Sequence, residues 1–173
     1  MKLSIIIPVY NEERTIQEAL QKVAAENIAP WEKEMIIVDD GSRDNSRSLI
    51  LAFIKESPDR GHCQVLVHER NRGKGAALRT GIAAATGDAI IVQDADLEYD
   101  PADFPRLLAK LEDPTVDAVY GSRNLSPERR GYPHYVLGVA ILTAFANLLY
   151  RAKLTDTYTC HKLIRAPIVR SLG

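Results

Sequence analysis

What most constrains the fold of this chain is a rhythm: short runs rich in Ile and Val alternate with stretches whose apolar residues recur three and four positions apart. The strand-like runs are Leu3 to Val9, Met35 to Val38, Val65 to Val67, Ala89 to Val92 and Ala118 to Tyr120. Between them, Ile16, Leu20 and Val23 share a helical face, as do Leu49, Ile50, Phe53 and Ile54. The same holds for Leu78, Ile82 and Ala85, and for Phe104, Leu107, Leu108 and Leu111. Asn11 with Glu12 and Glu13, Asp44 with Asn45, and Pro101 all suit helix N-termini. Strands apolar on both faces, each followed by a crossover helix, predict an α/β fold: a Rossmann-like, mostly parallel sheet flanked by helices. No repeat or Pro/Gly/Ser linker breaks the pattern, so a single domain over 1–173 is expected.

Composition narrows the function classes. At 173 residues, 46% hydrophobic and 26% charged, the chain can bury a substantial core, and its formal net charge of -1 offers no basic excess for nucleic acid. Met1 and Lys2 run straight into a strand-like segment ending at Pro8, so no signal peptide and a cytoplasmic location are expected. Cys63 and Cys160 lie far apart without partner ligands, which predicts ordinary buried thiols rather than a disulfide framework or zinc site.

Ligands of such sheets gather at the carboxyl ends of the strands. There the sequence places Pro8-Val9-Tyr10-Asn11-Glu12-Glu13, Val38-Asp39-Asp40-Gly41-Ser42, Asn71-Arg72-Gly73-Lys74-Gly75 and Gln93-Asp94-Ala95-Asp96-Leu97. Residues i and i+2 of an extended segment point the same way, so Asp94 and Asp96, with Glu98 one step further, are candidate ligands of a divalent cation. Spacing alone leaves open whether the pair binds metal or builds a turn. The third loop lacks the P-loop spacing, and no dinucleotide fingerprint is present.

Taken in this order and at these intervals, the motifs Ile5 to Glu12, Val38 to Ser42, Gly73-Lys74-Gly75 and Gln93 to Leu97 resemble the inverting family 2 glycosyltransferases of GT-A fold. Gly121-Ser122-Arg123 and Thr155-Asp156 with Thr159-Cys160 and Lys162 further resemble the polyprenol-phosphate (dolichol-phosphate) mannose/glucose synthase branch. The resemblance implies a metal-dependent enzyme moving a hexose from GDP-mannose or UDP-glucose to a polyprenyl phosphate. It implies that Pro8, Tyr10, Glu12 and Asp39 hold the nucleoside and that Lys74 and Asp94 serve the nucleotide sugar. Asp94, Asp96 and Glu98 would hold Mg²⁺ or Mn²⁺, which stabilises the charge that develops on the departing diphosphate.

An already ionised phosphate acceptor needs positioning more than deprotonation, and an arginine fork suits that task. Arg123 is therefore a candidate catalytic residue with Asp96 and Asp156, and Lys162 or Arg165 is expected to assist the acceptor phosphate. Two other readings stay open: transfer to a saccharide hydroxyl, with Asp156 as base, and a catalytically silent nucleotide-sugar-binding domain. The uncharged segment Tyr135 to Tyr150, flanked by Arg129, Arg130, Arg151 and Lys153, is about 24 Å long as a helix, short of a bilayer span. Either a buried helix or peripheral membrane contact accounts for it. The chain ends soon after Lys162 to Arg165, and a C-terminally shortened catalytic domain is expected.

Overall fold

Ile5, Ile6 and Ile7 have no solvent exposure, as a strand covered on both faces requires. In the computed structural model, which describes residues 1–57, 62–125 and 133–171, they belong to β1 (Lys2–Val9). The other strands are β2 (Glu32–Asp39), β3 (Cys63–Val67), β4 (Ala89–Val92), β5 (Ala118–Tyr120) and β6 (Lys162–Arg165), in sheet order β3-β2-β1-β4-β6-β5. β1 pairs in parallel with β2 and β4, and β2 with β3, whereas β6 runs antiparallel to β4 and β5. The sheet is thus mostly parallel, as expected.

The helices are α1 (Ile16–Ala25), α2 (Ser46–Glu56), α3 (Lys74–Ala84), α4 (Phe104–Leu111), α5 (Pro133–Tyr150) and α6 (Ala166–Ser171). Ile16, Leu20 and Val23 of α1, Ile50 of α2, and Phe104, Leu107, Leu108 and Leu111 of α4 join Leu3, Ile5 and Ile7 in one core. Each such aliphatic side chain contributes about 1.5–3 kcal/mol through burial. On the other face, Ala77 of α3 and Ala166 of α6 pack on Ile6, Ile36 and Val38. α3 lies close because Gly81 faces the sheet: a Cβ there would stand 2.5 Å from Ile6 Cγ2.

The chain runs from β1 outward through β2 and β3, then returns to set β4 on the other side of β1. That reversal opens a crevice between the carboxyl ends of β1 and β4. Pro8 tolerates its place there. Ile6 O accepts from Gln93 N at 2.9 Å, so alternation turns Pro8 toward the same side. The β4 ladder ends at the Ile6–Val92 pair, and no ladder bond is lost to the proline.

The Asn-Glu-Glu cluster does not cap α1, whose N-cap Thr15 makes no side-chain capping bond. It fastens the loop after β1 to the start of α2 instead. Arg43 N donates to Asn11 Oδ1 at 2.8 Å, Glu12 N to Ser46 Oγ at 2.8 Å and Asn45 N to Glu13 Oε2 at 3.1 Å. Asn11 adopts the left-handed conformation, φ 56°, which asparagine accepts readily. Asp44 does serve α2, accepting from Ser46 N at 3.0 Å.

α5 turns its polar residues inward. Thr143 is buried and its Oγ1 lies 3.1 Å from Thr157 Oγ1, while Asn147 bonds Leu154 N and O, each at 2.8 Å. Leu137, Ile141, Phe145 and Leu148 are 63%, 60%, 59% and 77% exposed, so the described residues leave this face of the helix uncovered. Among the described residues no helix is long and apolar enough to cross a membrane. Arg151 and Lys153 at its end are exposed, and Arg129 and Arg130 lie outside the described residues.

Candidate active site

A cleft of about 240 Å³ fills the crevice at the switch point, bordered by Pro8, Tyr10 and Glu12 after β1 and by Lys74, Asp94 and Asp96 across from them. Tyr10 is 41% exposed at its rim, free to cover a flat ligand. Glu12 is more constrained, since its Oε2 accepts from Thr15 Oγ1 at 2.9 Å. Five of the six residues expected to contact the nucleotide sugar line this cleft.

The sixth, Asp39, does not. It is fully buried, with Arg47 Nε 2.6 Å from Oδ2 and Ser42 N 2.9 Å from Oδ1, so its neighbours already occupy it. Asp40 borders the cleft instead. Its carboxylate accepts from Arg72 N at 3.0 Å and Gly73 N at 2.8 Å, and faces His68 Nδ1 at 2.6 Å. Burial alone would raise the Asp40 pKa, but the bonds from His68 and these amides outweigh it and hold the carboxyl below its ordinary range. His68 reaches Thr80 Oγ1 on α3 with its other nitrogen, at 2.9 Å. Asp40 and His68 thereby fix the turn at Gly73, φ 88°, that launches Lys74.

The carboxylates after β4 converge for another reason than strand alternation. β4 stops at Val92, and Asp94 to Glu98 form a turn in which Leu97 is left-handed, φ 63°, and Glu98 N donates to Asp96 Oδ1 at 2.9 Å. Asp94 and Asp96 face the cleft, whereas Glu98 Oε1 is drawn 3.2 Å from Arg123 Nη1. Among the described residues, no three His, Cys, Asp or Glu side chains form a ready-made ligand set. The expected trio is not preassembled, but two carboxylates suit a hard cation such as Mg²⁺, which takes one or two protein carboxylates and fills its remaining positions from phosphate and water. Asp94 Oδ1 carries the ammonium of Lys74 at 2.6 Å.

Behind the turn lies a buried support. Gln93 Nε2 donates to Asp94 O and Tyr99 O, each at 3.0 Å, leaving Oε1 to accept from His161 Nε2 at 3.0 Å. His161 is stacked against Tyr99 and Phe104, and burial depresses its pKa to about 4, so it is neutral at pH 7 with Nε2 protonated.

Arg123 is anchored rather than free. Its Nε lies 2.9 Å from Asp156 Oδ2 and its Nη2 lies 3.2 Å from Oδ1, a two-point grip on a buried carboxylate. Burial alone would raise the Asp156 pKa; the Arg123 bonds prevail and keep it low. A carboxylate so held is a weak base, which the saccharide-hydroxyl reading would need it not to be. Lys162 stands on the site side of β6, its ammonium 5.4 Å from the Tyr120 ring centroid. Arg165 does not serve the site. β6 is antiparallel, so Arg165 falls beside Ala89 at the opposite end of the strands from the site, donating to Val116 O at 2.9 Å and Leu111 O at 2.7 Å. Cys160, only partly buried, sits beside Lys74 and Asp94, and burial pushes its thiol up to about 12.

A second, larger groove of about 570 Å³ begins at the same polar wall. Lys74, Asp94 and Asp96 border both spaces; the groove is also lined by Glu98, Arg123 and Lys162 and by apolar residues of α3, β4 and β6.

Residues 4–173 match the family model Glycosyl transferase family 2. The chain belongs to this family. Among its relatives, undecaprenyl-phosphate 4-deoxy-4-formamido-L-arabinose transferase of Shewanella sediminis is 41% identical over 134 residues, covering 76% of this chain and 40% of the relative. The protein of that name from Pseudomonas fluorescens Pf0-1 is 38% identical over 144 residues, 80% of this chain and 41% of the relative. The chain spans about two fifths of the length of these curated relatives. In fold it is similar to a mannosyltransferase from Pyrobaculum calidifontis solved with GDP-Man and Mn²⁺, with TM-score 0.73, 24% identity, and coverage of 99% of this chain and 46% of that one. It is also similar to glucosyl-3-phosphoglycerate synthase from Mycobacterium tuberculosis with UDP: TM-score 0.72, 21% identity, 98% and 58% coverage. The α/β fold is thus that of GT-A glycosyltransferases, and the curated relatives are polyprenol-phosphate sugar transferases.

Proposed function

We propose that this domain binds a nucleotide diphosphate sugar in the β1/β4 crevice and passes the sugar, with inversion, to a polyprenyl phosphate. The observation that carries the reading is the shared polar wall: Lys74, Asp94 and Asp96 border both an open cleft and a largely apolar groove that Arg123 and Lys162 also line. A phosphorylated lipid needs that combination, cations for the head and an apolar wall beside it. The names of the curated relatives support undecaprenyl phosphate as acceptor and favour 4-deoxy-4-formamido-L-arabinose over the mannose or glucose expected from sequence.

In this mechanism Tyr10 and Pro8 flank the nucleoside, while Glu12 and Asp40 border it. Asp94 and Asp96 would hold Mg²⁺ or Mn²⁺, which supplies electrostatic stabilisation of the leaving diphosphate. Arg123, oriented by Asp156, positions the acceptor phosphate for in-line attack, with Lys162 adding positive charge. Asp39 contributes by holding Arg47 and the Ser42 turn, and Glu98 by steering Arg123. The outward apolar face of α5, ending in Arg151 and Lys153, suits peripheral contact with an anionic bilayer.

Incubation with Mn²⁺, undecaprenyl phosphate and labelled UDP- or GDP-linked sugars tests the reading. Label should enter the lipid fraction and be lost in Asp96→Ala. Transfer to a saccharide instead, or donor binding without transfer to lipid, would overturn it.

A further inference from the structure

The two basic side chains that approach the site carboxylates are held in different ways. Arg123 touches Glu98 at 3.2 Å, but its guanidinium is gripped at two points by Asp156, whose side chain is 1% exposed. It cannot leave without abandoning a buried charge. Among the described residues Lys74 has no such anchor. Its ammonium makes one charged contact with them, 2.6 Å from Asp94 Oδ1, its side chain is 54% exposed, and Cys160 Sγ lies 4.0 Å away. The backbone beneath it is fixed, because Asp40 holds the amides of Arg72 and Gly73. Four flexible methylenes therefore swing an ammonium on a rigid base.

Asp94 has only 14% of its side chain exposed, so the charge facing it matters more than at an open surface. A divalent cation at Asp94 would meet the Lys74 ammonium at close range, and like charges at that distance exclude one another. We propose that Lys74 is a built-in stand-in for the divalent cation: it neutralises Asp94 in the empty site, yields the carboxylate when the metal arrives with the nucleotide, and is thereby released toward the diphosphate. This rests on the donor-site reading above and adds an order to it. Bare metal binds weakly, and metal with nucleoside diphosphate binds strongly, because only the diphosphate gives Lys74 a new partner.

The test is Mn²⁺ binding to the whole chain without nucleotide, followed by electron paramagnetic resonance of free Mn²⁺, in wild type, Lys74→Met and Lys162→Met. Lys162 lines the same groove but does not touch Asp94, so its loss reports the general effect of removing a nearby positive charge. Lys74→Met should tighten nucleotide-free Mn²⁺ binding about tenfold, equivalent to about 1.4 kcal/mol. Lys162→Met should change it by less than about twofold, the size of a partly screened charge. In Mn²⁺, Lys74→Met should also weaken UDP or GDP binding. Equal tightening by both variants, or none by Lys74→Met, overturns the exchange while leaving the donor site standing if UDP or GDP still binds wild type with Mn²⁺. If wild type binds neither nucleotide with the metal, the donor-site reading fails and the exchange with it.

Discussion

Removing the Arg123–Asp156 contact should cost far more than an ordinary surface ion pair. The carboxylate of Asp156 receives Arg123 Nε at 2.9 Å, Arg123 Nη2 at 3.2 Å, Arg123 N at 3.3 Å and Tyr158 N at 3.0 Å. Arg123→Met removes the first two and leaves a buried charge on two amides. Hydrogen bonds to charged groups contribute about 1.5–3 kcal/mol each. The Arg123 side chain is 33% exposed, so water softens the loss and screening brings the pair down to a coupling of about 2 kcal/mol. Urea unfolding of wild type, Arg123→Met, Asp156→Asn and the double variant at pH 7 measures that coupling directly. Because Asp156 has a lowered folded-state pKa, its stabilisation is present above the unfolded carboxylate value near 4 and disappears as pH falls through the folded value. The coupling should therefore be flat from about pH 5 to 8 and shrink only in stronger acid. A coupling under about 0.5 kcal/mol would refute the clamp. In transfer assays Asp156→Asn should raise the acceptor KM and leave the pH–rate profile in place; loss of a limb of that profile would mark Asp156 as the base instead.

Three other changes probe the sheet and the turns that carry the site, Glu34 at the amino ends of the strands and His68 and Gly41 near the cleft. Glu34 accepts from Ser4 Oγ and from Thr86 N and Oγ1 and pairs with Lys2; burial alone would raise its pKa, but these contacts bring it to about 2. Glu34→Gln should cost about 2 kcal/mol in urea unfolding at pH 7 and nothing below about pH 2, where the wild-type group is protonated too. His68→Leu should lower stability by about 2–3 kcal/mol and weaken nucleotide binding, since Asp40 loses its buried partner; unchanged nucleotide affinity would show that the Gly73 turn holds without it. Gly41→Ala combines φ +71° with a Cβ 2.5 Å from the backbone carbon of Arg70, and unfolding should show a loss of at least about 2 kcal/mol.

The strands and helices were legible because burial on both faces leaves an unmistakable run such as Ile5-Ile6-Ile7, and α1 and α4 carry clean apolar stripes. The site was legible as loops but not as contacts. Asp39 and Asp40 are neighbours of identical chemistry, and which one faces the cleft depends on where the Arg47 side chain reaches and on the Gly73 turn, 33 positions from Asp40. Glu98 was expected beside Asp94 and Asp96 on an extended segment; with Leu97 left-handed it meets Arg123 and lines the larger groove with them but not the cleft, and nothing in a leucine advertises φ 63°. Arg165 was misplaced because four residues do not reveal a strand's direction. His68, Gln93 and His161 were missed because a lone buried polar residue acquires meaning only from its partner. Gln93 and His161 meet across 68 positions.

Calorimetric titration of UDP and GDP, with and without Mn²⁺, into wild type, Asp94→Ala and Asp96→Ala addresses the donor site most directly. Binding of one nucleotide should require Mn²⁺ and fall at least tenfold in each variant, about 1.4 kcal/mol or more. Binding indifferent to both the metal and the two carboxylates would contradict the account.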